Sequence, residues 1–239
     1  MRVLVTRSPE DAARTAQKLE ARGHEAVLAP VTRIVPTGEP APAAAYDALI
    51  VTSAHAQQAL ALLDREKPVF AVGERTAEAV RATGFARVEV AAGDAVSLSR
   101  LIRERLPSGL TLLHVTARHH KEEPAASLRA AGFTLLPWQA YEARAVERLP
   151  ERAVEALRSG QIGAALHYSR RSADLVVRLA EEAGLAAGLR AFPHLCLSAD
   201  VAAPLASAGA ETLVAEDPSE EALLRGLEAL SSPPPVLRP

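Results

Sequence analysis

The sequence has no asparagine and only one cysteine, one methionine and one tryptophan among 239 residues. Cys196 alone cannot build a disulfide framework or a cysteine metal cluster, and it fits a reducing cytoplasm. Charge of one sign is also missing: the net charge is −2, so no basic field exists for nucleic acid. No apolar run is long enough to span a bilayer. The segment RVLVTR at 2–7 meets charge too early for a signal peptide and reads as a strand. Nucleotide fingerprints are absent: no G-x-x-x-x-G-K and no G-x-G-x-x-G follows the first strand. No G-x-S-x-G elbow, H-E-x-x-H or C-x-x-C occurs. His119 and His120 are adjacent, so they would not share a helix face as metal ligands do, and no metal site is expected. The missing amides, few glutamines and excess of arginine over lysine fit a heat-adapted, thermostable protein. A GC-rich genome biases composition in the same way.

What is present is an apolar chain, 49% hydrophobic and 23% charged, able to bury a real core. The stretch 69–85 organises the reading. An apolar run at 69–72 reads as a buried parallel strand. Gly73 breaks it, helix formers follow from Glu74, and Gly84 closes the helix. In a parallel sheet such a turn lies at the carboxyl edge, where ligands bind. The helix start offers free N–H groups, and Thr76 adds a hydroxyl.

Similar units run through the chain. Strands are expected at 2–6, 24–29, 31–35, 47–52, 88–90, 110–116, 133–136, 138–143, 164–168, 194–198 and 211–215, with Pro137 interrupting the seventh from the eighth. Helices are expected after Ser8 and Pro9, from Ser53 to about Asp64, after Asp94 as an amphipathic helix with Val96, Leu98, Leu101, Ile102 and Leu106, at 122–131, at 150–159, after Ser169, and after Asp217 and Pro218 with Asp217 as cap. Alternating strands and helices predict an α/β fold with parallel sheets. The segments at 36–42 and 232–239 are proline-rich; the first reads as an exposed crossing and the second as a disordered tail.

Three units appear twice, at offsets of roughly 110–125 residues. VLVTR at 3–7 matches LHVTA at 113–117; the strands at 47–53 and 164–169 match; so do 69–84 and 194–209. Thr6, Thr52, Ser53, Thr76, Thr116, Ser169 and Ser198 then recur at strand ends. If the two sheets face each other, these hydroxyls line a cleft suited to a ligand with many carboxylates. The plain alternative is that each serine or threonine only caps a helix. The basic clusters Arg118 to Lys121 and Arg170-Arg171 also follow strands.

Read in order, RVLVTR at 2–7, LAP at 28–30, YDALIVTS at 46–53, VFAVGERTA at 69–77, LRAAGF at 128–133, Tyr141-Glu142, Tyr168-Ser169 and Leu197-Ser198 resemble uroporphyrinogen-III synthase over nearly the whole chain. The resemblance implies two α/β domains, each with a helix-flanked parallel sheet, joined by a two-stranded extended linker. The crossing strands would be 32–36 and 139–143. Domain 1 would comprise 1–35 with 144–231, and domain 2 would comprise 38–140. The implied reaction closes hydroxymethylbilane to uroporphyrinogen III, inverting ring D and losing water, by way of an azafulvene and a spiro-pyrrolenine, with no metal or organic cofactor. Tyr141 is the implied catalytic residue, donating a hydrogen bond or proton to the leaving hydroxyl; a phenol near ~10 makes that help modest. Thr76, Ser53, Ser169, Thr52, Arg7, Lys121 and Ser198 are the implied substrate-binding residues. Asp200 stands where the family's Gly-x-x-Thr-Ala pattern places a hydroxyl. The implied protein is a cytoplasmic monomer that takes its substrate from porphobilinogen deaminase, with no nucleic-acid or membrane partner. Rival readings are a non-catalytic binding protein for a linear tetrapyrrole or other polycarboxylate, and a sensor once linked through the proline-rich tail.

Overall fold

A computed structural model describes residues 1–231; the tail expected at 232–239 lies outside them. The chain divides into two compact units. Unit 1 is Met1–Arg33 with the chain from Arg144 onward, and unit 2 is Ile34–Ala143.

The chain begins with β1 (Arg2–Val5), α1 (Pro9–Glu20), β2 (Glu25–Leu28) and β3 (Thr32–Pro36). Helix α1 starts on a proline with Glu10 and Asp11 in its first turn, which favours a helix N-terminus. Ser8 occupies the cap position, but its hydroxyl makes no capping bond and lies buried without a partner. Next come β4 (Ala48–Val51), a 3-10 turn (Ala54–Ala56) and the single turn α2 (Gln57–Leu60). The helix expected to reach Asp64 stops at Leu60, and Leu62 beyond it is 74% exposed. Then follow β5 (Val69–Ala71), α3 (Glu74–Arg81), β6 (Val88–Val90) and α4 (Ala95–Arg105). Asp94 caps α4 in a reciprocal box with Ser97. Leu98 and Ile102 are buried as expected, whereas Val96 is 77% exposed.

Strand β7 (Thr111–Ala117) precedes α5 (Ala125–Ala130), which is shorter than the helix expected at 122–131. Strand β8 (Thr134–Ala145) then runs unbroken through Pro137. The missing N–H costs nothing there because β3 has already ended: Thr37 donates its N–H to Ala140, nearer the far end of β8. The chain passes between the units inside β3 and inside β8, which are neighbours in one sheet. The remainder is α6 (Glu151–Arg158), β9 (Ala164–His167), α7 (Arg170–Glu182), the short α8 (Ala186–Leu189), β10 (His194–Cys196), α9 (Ala199–Ser207), β11 (Thr212–Val214) and α10 (Glu220–Ser231). Helix α10 is capped by Ser219, whose hydroxyl accepts from the Ala222 N–H; Asp217 instead accepts from Arg225.

Unit 1 holds a sheet of order β11-β10-β9-β1-β2, and its strand pairs are parallel. One face packs on α1 and α10 through Leu19, Leu223 and Leu227; the other carries α6, α7 and α9 through Leu157, Val176 and Leu205. Unit 2 has the order β3-β8-β7-β4-β5-β6, with β8 through β6 parallel. Its faces are covered by α4 and α5 through Ile102 and Leu128, and by α2 and α3 through Leu60 and Val80.

The two orders superpose, β11-β10-β9-β1-β2 on β6-β5-β4-β7-β8. The repeat is thus real, but permuted: the pair that opens unit 1 closes unit 2. Its register also corrects the sequence match. Val3 faces Ala164 and Ala26, while Leu112 faces Ala48 and Leu135. Val3 therefore corresponds to Leu112, not Leu113, and Arg7 to Thr116. The shared Val-Thr pair pulls the sequence alignment one residue off, which in a strand exchanges the two faces. The left-handed glycines after α1 and α5, Gly23 (φ 76°) and Gly132 (φ 87°), agree with the corrected register.

Candidate functional site

In each unit the sheet has one place where chain progression reverses, between β1 and β9 and between β7 and β4. Ligands of open α/β sheets bind outside the carboxyl ends of strands at such a point.

In unit 2 this point carries a polar cavity of about 240 Å³ lined by Thr52, His114, Thr116, His120, Lys121 and Tyr141 among others. It exists because α5 starts late. Pro9, where α1 begins, corresponds to Arg118, yet α5 begins only at Ala125. The intervening turn leaves the space that the first turns of α1 fill in unit 1. His114, 1% exposed, replaces the core valine Val5 of unit 1. Its Nε2 lies 3.5 Å from the Thr52 hydroxyl and its Nδ1 has no partner. Burial, aided by the charges of His120 and Arg129, holds its pKa down to about 4, so the ring is neutral at pH 7.

Tyr141 stands at the wall of this cavity because β8 bulges. Thr116 pairs with Gln139 and Ala117 with Tyr141, which leaves Ala140 as the extra residue. The tyrosine is 7% exposed. Burial pushes its phenol up, and a hydrogen bond with the Ser53 hydroxyl partly offsets this. The His55 ring meets it edge-on at 6.4 Å. Tyr141 also borders a second, apolar cavity of about 310 Å³ with Ile34, Leu62 and Trp138.

Unit 1 fills the equivalent place with its own side chains. The Arg7 guanidinium lies 4.0 Å over the Tyr168 ring and donates to Glu220 at 2.9 Å. Thr15, Lys18 and Tyr168 also donate to that carboxylate, at 2.8, 2.6 and 3.0 Å. Burial alone would raise the Glu220 carboxyl, but these bonds and the Arg7 charge hold it below its ordinary 4.5. Below them a buried chain runs from Thr6 to His167 (3.5 Å), from His167 to His194 (2.9 Å) and on to the Leu189 carbonyl (2.7 Å). The Leu189 carbonyl can only accept, so His194 Nε2 carries hydrogen, and His167 donates to His194 Nδ1. Cys196 is buried and its thiol is pushed up to about 12, which makes it inert.

The sequence profile described as uroporphyrinogen-III synthase HemD matches residues 13–225. The chain belongs to the uroporphyrinogen-III synthase family. No curated protein matches it. Among solved structures, the uroporphyrinogen-III synthetase of Helicobacter pylori 26695 is similar at 16% identity and TM-score 0.66, covering 96% of this chain and 100% of its own. A mutant uroporphyrinogen III synthase of the extreme thermophile Thermus thermophilus is similar at 19% identity and TM-score 0.52, covering 97% and 98%. At such identities the likeness speaks for the fold, and the α/β architecture with helix-flanked parallel sheets is the family's. Membership also makes the chain one of a family of cyclising lyases and disfavours the non-catalytic reading.

Against that family the expected site residues divide. Thr52, Lys121 and Tyr141 meet at one cavity, and Ser53 reaches Tyr141. Ser53 also caps the 3-10 turn through the His55 N–H. Thr76 is buried on α3 and lines neither cavity. In unit 1, Ser169 and Ser198 cap α7 and α9 by accepting from Ser172 and Val201. Arg7 is engaged by Glu220, Thr15, Asp11 and Tyr168. Register and caps place Val201, not Asp200, at the position of Thr76, since Gly73 caps α3 as Ser198 caps α9. Asp200 is exposed and pairs with Arg170 at 2.8 Å. Sequence reasoning missed His114 and Glu220. The signal for His114 was present, a lone histidine inside the apolar run TLLHVTA. Among the described residues no cluster of three or more His, Cys, Asp or Glu side chains suits a metal ion, and no helix is long and apolar enough to cross a membrane.

Proposed function

We propose that this chain cyclises hydroxymethylbilane to uroporphyrinogen III, inverting ring D and releasing water, with no metal or organic cofactor. One observation carries the catalytic assignment: a buried phenol, bonded to Ser53, at the wall of a polar cavity on the switch point of unit 2. The substrate's hydroxyl leaves as water only if it gains a proton. Tyr141, with its pKa raised by burial, keeps its proton at pH 7 and donates it, or a hydrogen bond, to that oxygen. The proton returns when the closed macrocycle loses one. Positioning supplies the rest, because the unassisted bilane closes without inversion. Thr52, Ser53, Thr76 and Lys121 in unit 2, and Ser169 and Ser198 in unit 1, serve as neutral and cationic donors to substrate carboxylates. Arg7 contributes from within its Glu220 network. The protein works as a cytoplasmic monomer and receives the bilane from porphobilinogen deaminase.

The test is a coupled assay in which porphobilinogen deaminase generates the bilane and oxidised products are separated by isomer. The type III isomer is expected with this protein, and unchanged type I product with folded protein would sink the proposal. Tyr141→Phe is expected to lower kcat about a hundredfold with KM little changed. A variant with full kcat would remove Tyr141 from the proton step.

A further inference from the structure

Unit 1 answers a question that unit 2 leaves open. At its switch point sits a carboxylate, Glu220, which accepts from two hydroxyls (Thr15 and Tyr168) and two cations (Arg7 and Lys18). In unit 2 the matching positions are changed. Arg7 becomes Thr116 and Tyr168 becomes Thr52 by strand register; Glu220 becomes Ala95 by helix start. The carboxylate and both large side chains that enclosed it are gone, and a cavity of about 240 Å³ stands open. Donors remain around it. Thr52 and Thr116 supply hydroxyls, and Lys121 an ammonium. His120 donates Nδ1–H to the Ala117 carbonyl at 2.8 Å, which turns its Nε2 away from that bond. His114, buried to 1% exposure, lines the cavity; its Nε2 lies 3.5 Å from the Thr52 hydroxyl of the same lining and its Nδ1 has no partner. The acid on the rim, Glu123, is exposed and accepts from the Ser127 N–H at 3.3 Å.

We infer that this cavity is a seat for one carboxylate supplied from outside the chain, an acetate- or propionate-sized side chain of the substrate, held by Thr52, Thr116, His114, His120 and Lys121. The seat rests on the proposed synthase reading only for the identity of the molecule that bears the carboxylate. An anion there gives the buried His114 a charged partner, and a charged acceptor strengthens each donor's bond. The volume admits a short carboxylate and its methylenes but not a whole tetrapyrrole.

The experiment titrates sodium propionate into the full chain carrying ring-labelled histidine, with sodium chloride at equal ionic strength as control. The His114 ring signals, assigned by their loss in His114→Phe, are expected to shift saturably with propionate and not with chloride, while His167 and His194 stay still. Lys121→Ala, an exposed change, is expected to weaken the response roughly fivefold. Ala95→Glu restores the carboxylate that unit 1 carries and is expected to weaken it about tenfold, by occupying the seat. An unmoved His114, a shift matched by chloride, or a response unaffected by both variants overturns the inference. The isomer assay runs in parallel and separates the two readings. Type III product with an unmoved His114 removes the seat and leaves the synthase; a saturable His114 shift without type III product does the reverse.

Discussion

The two units share strand order, register and helix placement, yet one switch point is plugged and the other is open. The difference lies in few residues. Unit 1 has Arg7, Tyr168 and Glu220 where unit 2 has Thr116, Thr52 and Ala95, and α1 starts where unit 2 has a turn. A duplicated fold thus keeps two sheets but only one polar cavity at a sheet switch point among those described. At the first position the side chains satisfy one another, and at the second the hydroxyls of Thr52 and Thr116 and the Lys121 side chain line open space.

Acid should separate the units most. His167 and His194 in unit 1 and His114 in unit 2 are all held below 6.5, with burial as the main cause in each. A histidine neutral in the fold takes up a proton on unfolding, so its contribution is complete above pH 6.5 and is lost as pH falls toward the folded pKa. For His114, from 6.5 to about 4, the loss approaches about 3 kcal/mol. Unit 1, with two such rings, should lose more. The Glu220 pair adds a further loss below 4.5, since its pKa is depressed. Hydrogen exchange read unit by unit between pH 8 and pH 4 checks this; equal protection in both units would break the comparison.

Grafting the plug is the next largest test. Thr116→Arg with Ala95→Glu should fill the cavity of unit 2, leave the fold intact and reduce synthase turnover about a hundredfold through misplaced substrate. Full activity in the double variant would mean the open cavity has no part in turnover. The reverse change, Glu220→Ala, leaves Arg7 and Lys18 without their shared acceptor and should destabilise unit 1 by about 2 kcal/mol, seen by urea unfolding. Ser169→Ala should cost about 1 kcal/mol because its hydroxyl accepts from the Ser172 N–H. Ser8→Ala, at a cap position without a capping bond, should be neutral or slightly stabilising, and a cost as large as that of Ser169→Ala would contradict the buried, partnerless hydroxyl.

Much of the fold was legible because local signals agreed. The apolar runs at β4, β5 and β9, the glycines after α1 and α5, and the acids and proline opening α1 each have a short-range cause. The failures were non-local. Pro137 reads as a break, yet β8 passes through it because its neighbour β3 has ended. Val96 reads as part of the apolar face of α4, yet that face buries Leu98 and Ile102 while Val96 lies two positions from Leu98, on the opposite side of the helix. Ser8 and Asp217 read as caps, but a cap depends on the chain's approach angle, and Ser219 took the second role. That Tyr141, Thr52 and Lys121 line one cavity, with Ser53 bonded to Tyr141, joins residues already singled out in the sequence, whereas the place of Glu220 in unit 1 could not be read there. Its importance comes from α10 returning to α1 across the sheet, 213 positions along the chain from Arg7.

The sequence by itself determined the alternation of strands and helices, their punctuation and the existence of a repeat, since all of these follow from short-range periodicity and turn chemistry. Only the tertiary structure decided that the repeat is permuted, that its register is one residue from the apparent match, and that one switch point is closed by its own carboxylate while the other stands open. Those outcomes depend on which strands hydrogen-bond side by side and on where a helix begins above them, and neither is encoded in any single stretch of chain.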